Sequence, residues 1–192
     1  MSKIFRQVSF LVVCVLCASA TTHAGSLDSG HNDRRGFFIG TSLGAGMMNL
    51  NGSGSNQTKF SLIGDEKIGG AINEKLLIMY NGSISYARIS GVNFTIYTFP
   101  VAVQYFFYKD FFARAGAGIA LARATTSVGG VGLTANSKTS FGADLAGGYE
   151  FRFGKYFALS PELVYHYVRI RSNLASGNAN VFGAQASAVW YF

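Results

Sequence analysis

The chain has 192 residues, the size of one domain, and carries 16 Lys and Arg against 9 Asp and Glu, a formal net charge of +7. Charged residues are 13% and aromatics 15%, which excludes a disordered chain, while a mean hydropathy of only +0.24 excludes a bundle of membrane helices. Cys14 and Cys17 both lie near the start, which excludes a disulfide framework, a cysteine zinc site and a thiol nucleophile from the rest, and the scattered basic residues do not indicate nucleic acid.

At the N-terminus, Lys3 and Arg6 precede an uncharged run over 8–17, about half of what a spanning helix needs. Ala18-Ser19-Ala20 and Thr22-His23-Ala24 each offer a small-x-small cleavage site, so residues 1–24 read as a secretory signal cut after Ala24. A lipoprotein site is not expected, because Val13 and Leu16 stand where a small residue should precede the cysteine. Losing Lys3 and Arg6 leaves a mature charge of 7 − 2 = +5. Residues 25–35 are then a short periplasmic segment, and 36–192 a single domain.

From Gly36 onward the hydrophobic period is two, not 3.6. Phe37, Ile39, Thr41, Leu43, Ala45 and Met47 form one face of the first segment, with Gly40, Ser42, Gly44 and Gly46 on the other. Eight such segments follow one another: 36–48, 59–72, 76–87, 94–108, 112–125, 138–153, 157–171 and 181–192. Three connections are short (73–75, 109–111 and 154–156), and four are longer and polar (49–58, 88–93, 126–137 and 172–180). Short turns alternating with long loops predict an eight-stranded antiparallel up-and-down transmembrane β-barrel, with the turns periplasmic and the loops external. Residues flanking a three-residue turn should share a face: Ile72 with Leu76 and Phe153 with Phe157 outward, Tyr108 with Phe112 inward.

Charge decides which face points out. A cation at the midplane of a lipid-facing surface costs roughly 2–4 kcal/mol. Lys67, Arg114, Asp144, Glu150, Arg152 and Glu162, with His166 beside them, all lie opposite the apolar set and are expected to form a lumen charge network. An eight-stranded barrel is only wide enough for side chains to fill it, so these charges should pair and plug it. With cross-strand partners around 154–156 summing to 310, Asp144 faces His166, and Ser187 is inward as well. That arrangement could orient a general base, but it faces the lumen and reads as a structural pair.

Gly36-Phe37-Phe38-Ile39-Gly40-Thr41-Ser42-Leu43-Gly44 resembles the first strand of the small OmpA/OmpX-like outer-membrane barrels. Phe99-Pro100-Val101, Ala115-Gly116-Ala117-Gly118 and Gly147-Gly148-Tyr149-Glu150 are similar to that family's central hairpins. The resemblance implies a bacterial outer-membrane location and a terminal signal for the barrel-assembly machinery at Trp190 and Phe192. With no peptidoglycan-binding domain expected after the barrel, a full OmpA-type wall anchor is not expected. Lipid A 3-O-deacylase barrels carry a His-x-Ser on one strand, whereas His166-Tyr167-Val168 lacks the serine. No catalytic residue, cofactor or metal site is indicated, and the chain reads as a non-enzyme.

Lys59, Arg88, Arg123, Lys138, Arg169 and Arg171 fall at the external ends of strands, where they would meet lipopolysaccharide phosphates. The expected function is structural or surface-interacting: envelope integrity, lipopolysaccharide contact, or adhesion to a host or surface ligand. The alternative is a narrow porin-like channel, followed by a lipid A-modifying enzyme.

Overall fold

The computed structural model describes residues 34, 36–52, 55–128, 131–171 and 176–192. The signal read over 1–24 and nearly all of the segment 25–35 lie outside the described residues.

The period of two becomes ten strand elements in chain order: β1 (Gly36–Gly52), β2 (Ser55–Asn73), β3 (Leu76–Ile89), β4 (Val92–Tyr108), β5 (Phe111–Val128), β6 (Val131–Asn136), β7 (Ser140–Tyr149), β8 (Phe151–Phe153), β9 (Phe157–Arg171) and β10 (Ser176–Tyr191). Every pairing is antiparallel, and β10 returns to β1 with Phe38 opposite Tyr191. β6, β7 and β8 follow one another along the line between β5 and β9, so the ten elements make a closed eight-stranded antiparallel barrel.

Two breaks along that line have local causes. The first falls at 137–139, where only Lys138 bridges to Arg171. The second falls at Glu150. Pairing of β7 with β9 stops at Gly148–Glu162 and resumes in β8 at Phe151–Leu159, leaving Pro161 within the gap. Proline has no N–H to give the ladder. Glu150 instead donates its amide to the Asp110 carbonyl at 3.0 Å. Pro100 acts likewise in β4, where the β3–β4 ladder skips from Tyr80–Val101 to Ser83–Thr98.

The alternation holds around the wall. Leu43, Ile78, Val101, Ile119, Leu145, Leu163 and Phe182 are exposed on the outside, Leu43 by 75%. Phe37, Phe192, Phe153, Tyr156, Phe111 and Tyr108 ring the end that bears the short turns. The inside is layered. Toward this turn end, Phe38, Leu77, Phe106, Phe112 and Val189 pack together. Toward the far end, Met48, Ile89, Ile96, Val168 and Val181 form a second apolar cluster.

Two expectations about connections are corrected. Asn73 pairs Leu76 and Tyr108 pairs Phe111, so two of the three short turns hold two residues, each beside a register shift. The shift between Phe106 and Tyr108 inserts one residue, so Phe107 and Tyr108 both point outward, at 59% exposure each, while Phe112 stays inside. The four polar connections are also mostly strand. Gly52 pairs Ser55, Ile89 pairs Val92 and Val128 pairs Val131. Ser90 and Gly91, with φ of 49° and 82°, make the tight turn between β3 and β4.

Candidate functional site

The barrel's inner wall brings charged side chains together in two places rather than one. At mid-height β2 supplies Asp65 and Lys67, β5 Arg114, β7 Asp144, β9 Glu162 and His166, and β10 Gln185 and Ser187, all buried. Gly116, two residues along β5 from Arg114, clears the space they need, since a Cβ there would collide with the Asp144 carboxylate.

Arg114 is the hub. Its guanidinium lies 3.1 Å from Glu162, 3.4 Å from Asp144 and 3.6 Å from Asp65, with no side-chain exposure. Lys67 pairs with the other Glu162 oxygen and donates to Ser187 Oγ at 2.8 Å. Gln185 Nε2 donates to Asp65 at 2.7 Å and to Glu162 at 3.0 Å. A hydrogen bond between ionised partners is about twice as strong as a neutral one, and this ring of them locks five strands side to side.

His166 sits opposite Asp144, as the register sum requires. Neither ring nitrogen reaches a hydrogen-bond partner among the described residues. The reading of a satisfied structural pair is corrected: the imidazole is unbonded, Arg114 meets only the Oδ2 of Asp144, at 3.4 Å, and Ser187 accepts from Lys67. Among the described residues no hydroxyl hydrogen-bonds the imidazole.

The second cluster closes the turn end. Glu150 and Arg152, read as part of one lumen network, belong here instead. Arg34 Nε donates to Glu150 Oε1 at 3.0 Å, its other nitrogens reach Asp110 and the Glu74 carbonyl, and its guanidinium lies 3.7 Å over the Phe106 ring. Tyr191 donates to Glu150 at 2.6 Å, and Arg152 stands 3.6 Å from Glu150 and 4.6 Å over the Tyr191 ring. Arg34 precedes β1 and shares no strand period, so nothing in the residue pattern marks it. Asp65 did carry one, being two residues from Lys67 and hence on the same face.

Glu66 is the exception on the outside. It is exposed midway along β2, opposite Thr41 on β1 and Gly82 on β3, and close enough to Tyr80 for its charge to act on the phenol. Trp190 and Phe192 lie at the turn end, where Trp190 packs 5.3 Å from Phe157 and the Phe192 amide donates to the Phe37 carbonyl at 2.8 Å.

The basic rim is at the far end as expected, with Lys59, Arg88, Arg123, Lys138, Arg169 and Arg171 all exposed. Arg123, Lys138, Arg169 and Arg171 come together on β5, the β6–β7 link and β9, through the pairings of Arg123 with Asn136 and of Lys138 with Arg171. Lys59 differs from the others. It lies on the inward row of β2 with Ser61, Ile63 and Asp65. Among the described residues no Asp or Glu lies at this end: Asp65, Glu66, Asp144 and Glu162 are at mid-height and Glu74, Asp110 and Glu150 at the turn end.

No family model and no curated protein matches the chain. Solved structures do. Neisserial surface protein A is 19% identical, with 81% of this chain and 97% of that one covered at a TM-score of 0.58. Ail, the attachment invasion locus protein of Yersinia pestis, is 12% identical over 78% of this chain and 97% of its own, at 0.48. The N-terminal β-barrel domain of Pseudomonas aeruginosa OprF is 11% identical over 82% and 98%, also at 0.48. The fold is that of the small outer-membrane barrels, in line with the OmpA/OmpX-like resemblance.

Proposed function

We propose that the chain is a bacterial outer-membrane barrel with a filled, non-conducting lumen, whose far end faces outward and holds lipopolysaccharide through its basic rim. The observation that carries this reading is the separation of charge along the barrel. Six basic side chains stand at the far end without an acidic neighbour, although carboxylates are plentiful elsewhere. Ordinary strand-end solvation would mix the signs. A one-sign rim suits a polyanionic surface, and each Lys or Arg near such a surface contributes about 1 kcal/mol.

The buried stack of apolar layer, ion cluster and apolar layer supports a closed lumen over a porin-like one. Trp190 and Phe192 fit a terminal signal for the barrel-assembly machinery, and adhesion to a host or surface ligand would use the same exposed rim.

The test is co-sedimentation of the purified chain, in phosphatidylcholine vesicles, with fluorescent lipopolysaccharide. Binding should fall at least tenfold in the triple variant Lys138→Gln, Arg169→Gln, Arg171→Gln, and fall with added salt as screening shortens to about 8 Å at 0.15 M. Binding that ignores both the charges and the salt would overturn the reading. Planar-bilayer recordings should show no unitary conductance.

A further inference from the structure

Toward the far end, the outer wall changes chemistry in one step on four neighbouring strands. Tyr165 on β9, Phe182 on β10, Met47 on β1 and Phe60 on β2 stand side by side in register, exposed, as the last apolar rung. The next outward rung is Tyr167, Asn180, Asn49 and Thr58, and the one beyond it is Arg169, Asn178, Asn51 and Asn56. Five of the chain's 11 asparagines therefore share one outward patch. Asparagine is depleted in strands because its amide competes for the backbone, so tips that needed only to be solvated would be better served by threonine.

Hydrogen bonds hold these amides and leave part of each free. Tyr165 donates to Asn180 Oδ1 at 2.8 Å, and Tyr167 to Asn178 Oδ1 at 3.1 Å. Asn49 Nδ2 donates to Asn56 Oδ1 at 2.8 Å and to Thr58 Oγ1 at 2.7 Å. Among the described residues nothing accepts from Nδ2 of Asn56, Asn178 or Asn180, and the Asn51 side chain bonds to nothing. The patch is an uncharged plaque of oriented, half-used amides, and Arg169 of the basic rim heads its outer rung.

Its height points to the partner. Outward rungs on one strand are about 7 Å apart, and the headgroup layer of a bilayer is roughly 5–8 Å deep on each side. The amides that follow the last apolar rung are thus level with headgroups. The plaque faces sideways from the wall, toward molecules standing in the same leaflet. A phospholipid headgroup carries charge at that depth, whereas a saccharide presents neighbouring hydroxyls. A side-chain amide, with its NH₂ and C=O side by side, donates to one hydroxyl and accepts from the next.

We propose that the plaque binds the sugar headgroup of a neighbouring lipopolysaccharide, whose hydroxyls meet the amides of Asn51, Asn56, Asn178 and Asn180 while the rim holds its phosphates. The source of the sugar rests on the lipopolysaccharide reading above, and the contact is one that charge does not supply.

The experiment takes charge out of the ligand. The isotope-labelled chain, folded in phosphocholine micelles, is titrated with core oligosaccharide freed of lipid A, stripped of phosphate and reduced at its carboxyl groups, and followed by NMR. The side-chain amide signals of Asn51, Asn56, Asn178 and Asn180 should shift saturably, while those of Asn73 at the turn end and Asn81 in the lumen stay in place. Asn51→Val with Asn178→Val, which face each other in register, should weaken binding at least about fivefold, the low end for two net hydrogen bonds. The Gly177 backbone amide reports that affinity, and heat-modifiable gel mobility confirms that the variant is folded, as valine in a strand should be. Added salt should leave the affinity unchanged, unlike that of the rim for phosphate. Absence of saturable shifts overturns the proposal, as do equal shifts at Asn73 and Asn81 or parental affinity in the double variant. Because this ligand bears no phosphate, its failure to bind leaves the salt-sensitive rim reading standing, and loss of the rim reading leaves the sugar titration to be judged by itself.

Discussion

Replacing Arg114 with methionine keeps most of the side chain's length and deletes the charge that three carboxylates share. Glu162, Asp144 and Asp65 lie 3.1, 3.4 and 3.6 Å from its guanidinium, which is wholly shielded from solvent. A charge pair near 4 Å at an effective dielectric of about 20 is worth about 4 kcal/mol gross, and stripping water from each ion returns several kcal/mol of that. The loss is therefore set by the carboxylates left behind. Breaking a buried pair costs about 3–5 kcal/mol, a large share of a stability that is typically 5–15 kcal/mol. The assay is urea unfolding in short-chain phosphatidylcholine vesicles, followed by Trp190 fluorescence and by heat-modifiable gel mobility. Arg114→Met should lose about 3–5 kcal/mol. Adding Asp144→Asn should recover part of it, because that carboxylate has Arg114 as its salt-bridge partner, whereas Glu162 still pairs with Lys67 and Asp65 still accepts from Gln185. A loss below about 1 kcal/mol would be the value for a solvated pair. It would mean that the lumen is wet, and the non-conducting reading would fall with the energetic one.

Arg34→Ala should cost about 3 kcal/mol in the same unfolding assay, the low end for a buried pair, since Tyr191 and Arg152 still hold Glu150; no change would show that Arg34 is not seated at the turn end. Glu66→Leu should raise stability by about 1 kcal/mol in vesicles, because an outward carboxylate at mid-height costs less than the roughly 2–4 kcal/mol of a cation but still costs. A loss of stability in that variant would mean that Glu66 is satisfied by Thr41 or Tyr80 rather than exposed to acyl chains.

What the sequence made legible follows from what its period encodes. A period of two fixes which face each residue takes, so the outward set from Phe37 to Phe182 and the inward charges Lys67, Arg114, Asp144 and Glu162 were readable residue by residue. The register sum across the turn at Gly154 placed Asp144 opposite His166. Parity does not survive an inserted residue, which is why Tyr108 turned out on the wrong side. Nor does parity reveal hydrogen bonds: His166 faces Asp144 in register yet bonds to nothing among the described residues, while Arg114 and Lys67 reach Asp144 and Ser187 from other strands. The far end was under-read because strand tips such as 49–52 and 55–58 are polar on both faces. They nevertheless pair, because backbone groups in an extended hairpin bond each other whatever the side chains are. Arg34 was invisible for another reason, joining Glu150 and Asp110 across 116 and 76 residues of chain.

The placement of charge along the barrel carries more meaning than its total. At mid-height Asp65, Asp144 and Glu162 face Lys67 and Arg114, and at the turn end Glu150 and Asp110 face Arg34 and Arg152. With Glu66, Glu74, Lys75, Lys109 and Lys155 included, the described residues outside the rim hold equal numbers of cations and carboxylates, so their surplus resides at the far rim. Exposed like charges on adjacent strands repel, and no carboxylate among the described residues pairs with Arg123, Lys138, Arg169 or Arg171. Their mutual repulsion is a standing cost that an anionic neighbour removes. Lipopolysaccharide in the surrounding leaflet should therefore stabilise the folded barrel as well as bind it. Unfolding midpoints should rise with lipopolysaccharide content in the parent chain, and hardly at all in the Lys138→Gln, Arg169→Gln, Arg171→Gln triple variant. If the two rose in parallel, the rim would be a solvated edge and not a lipid-binding surface.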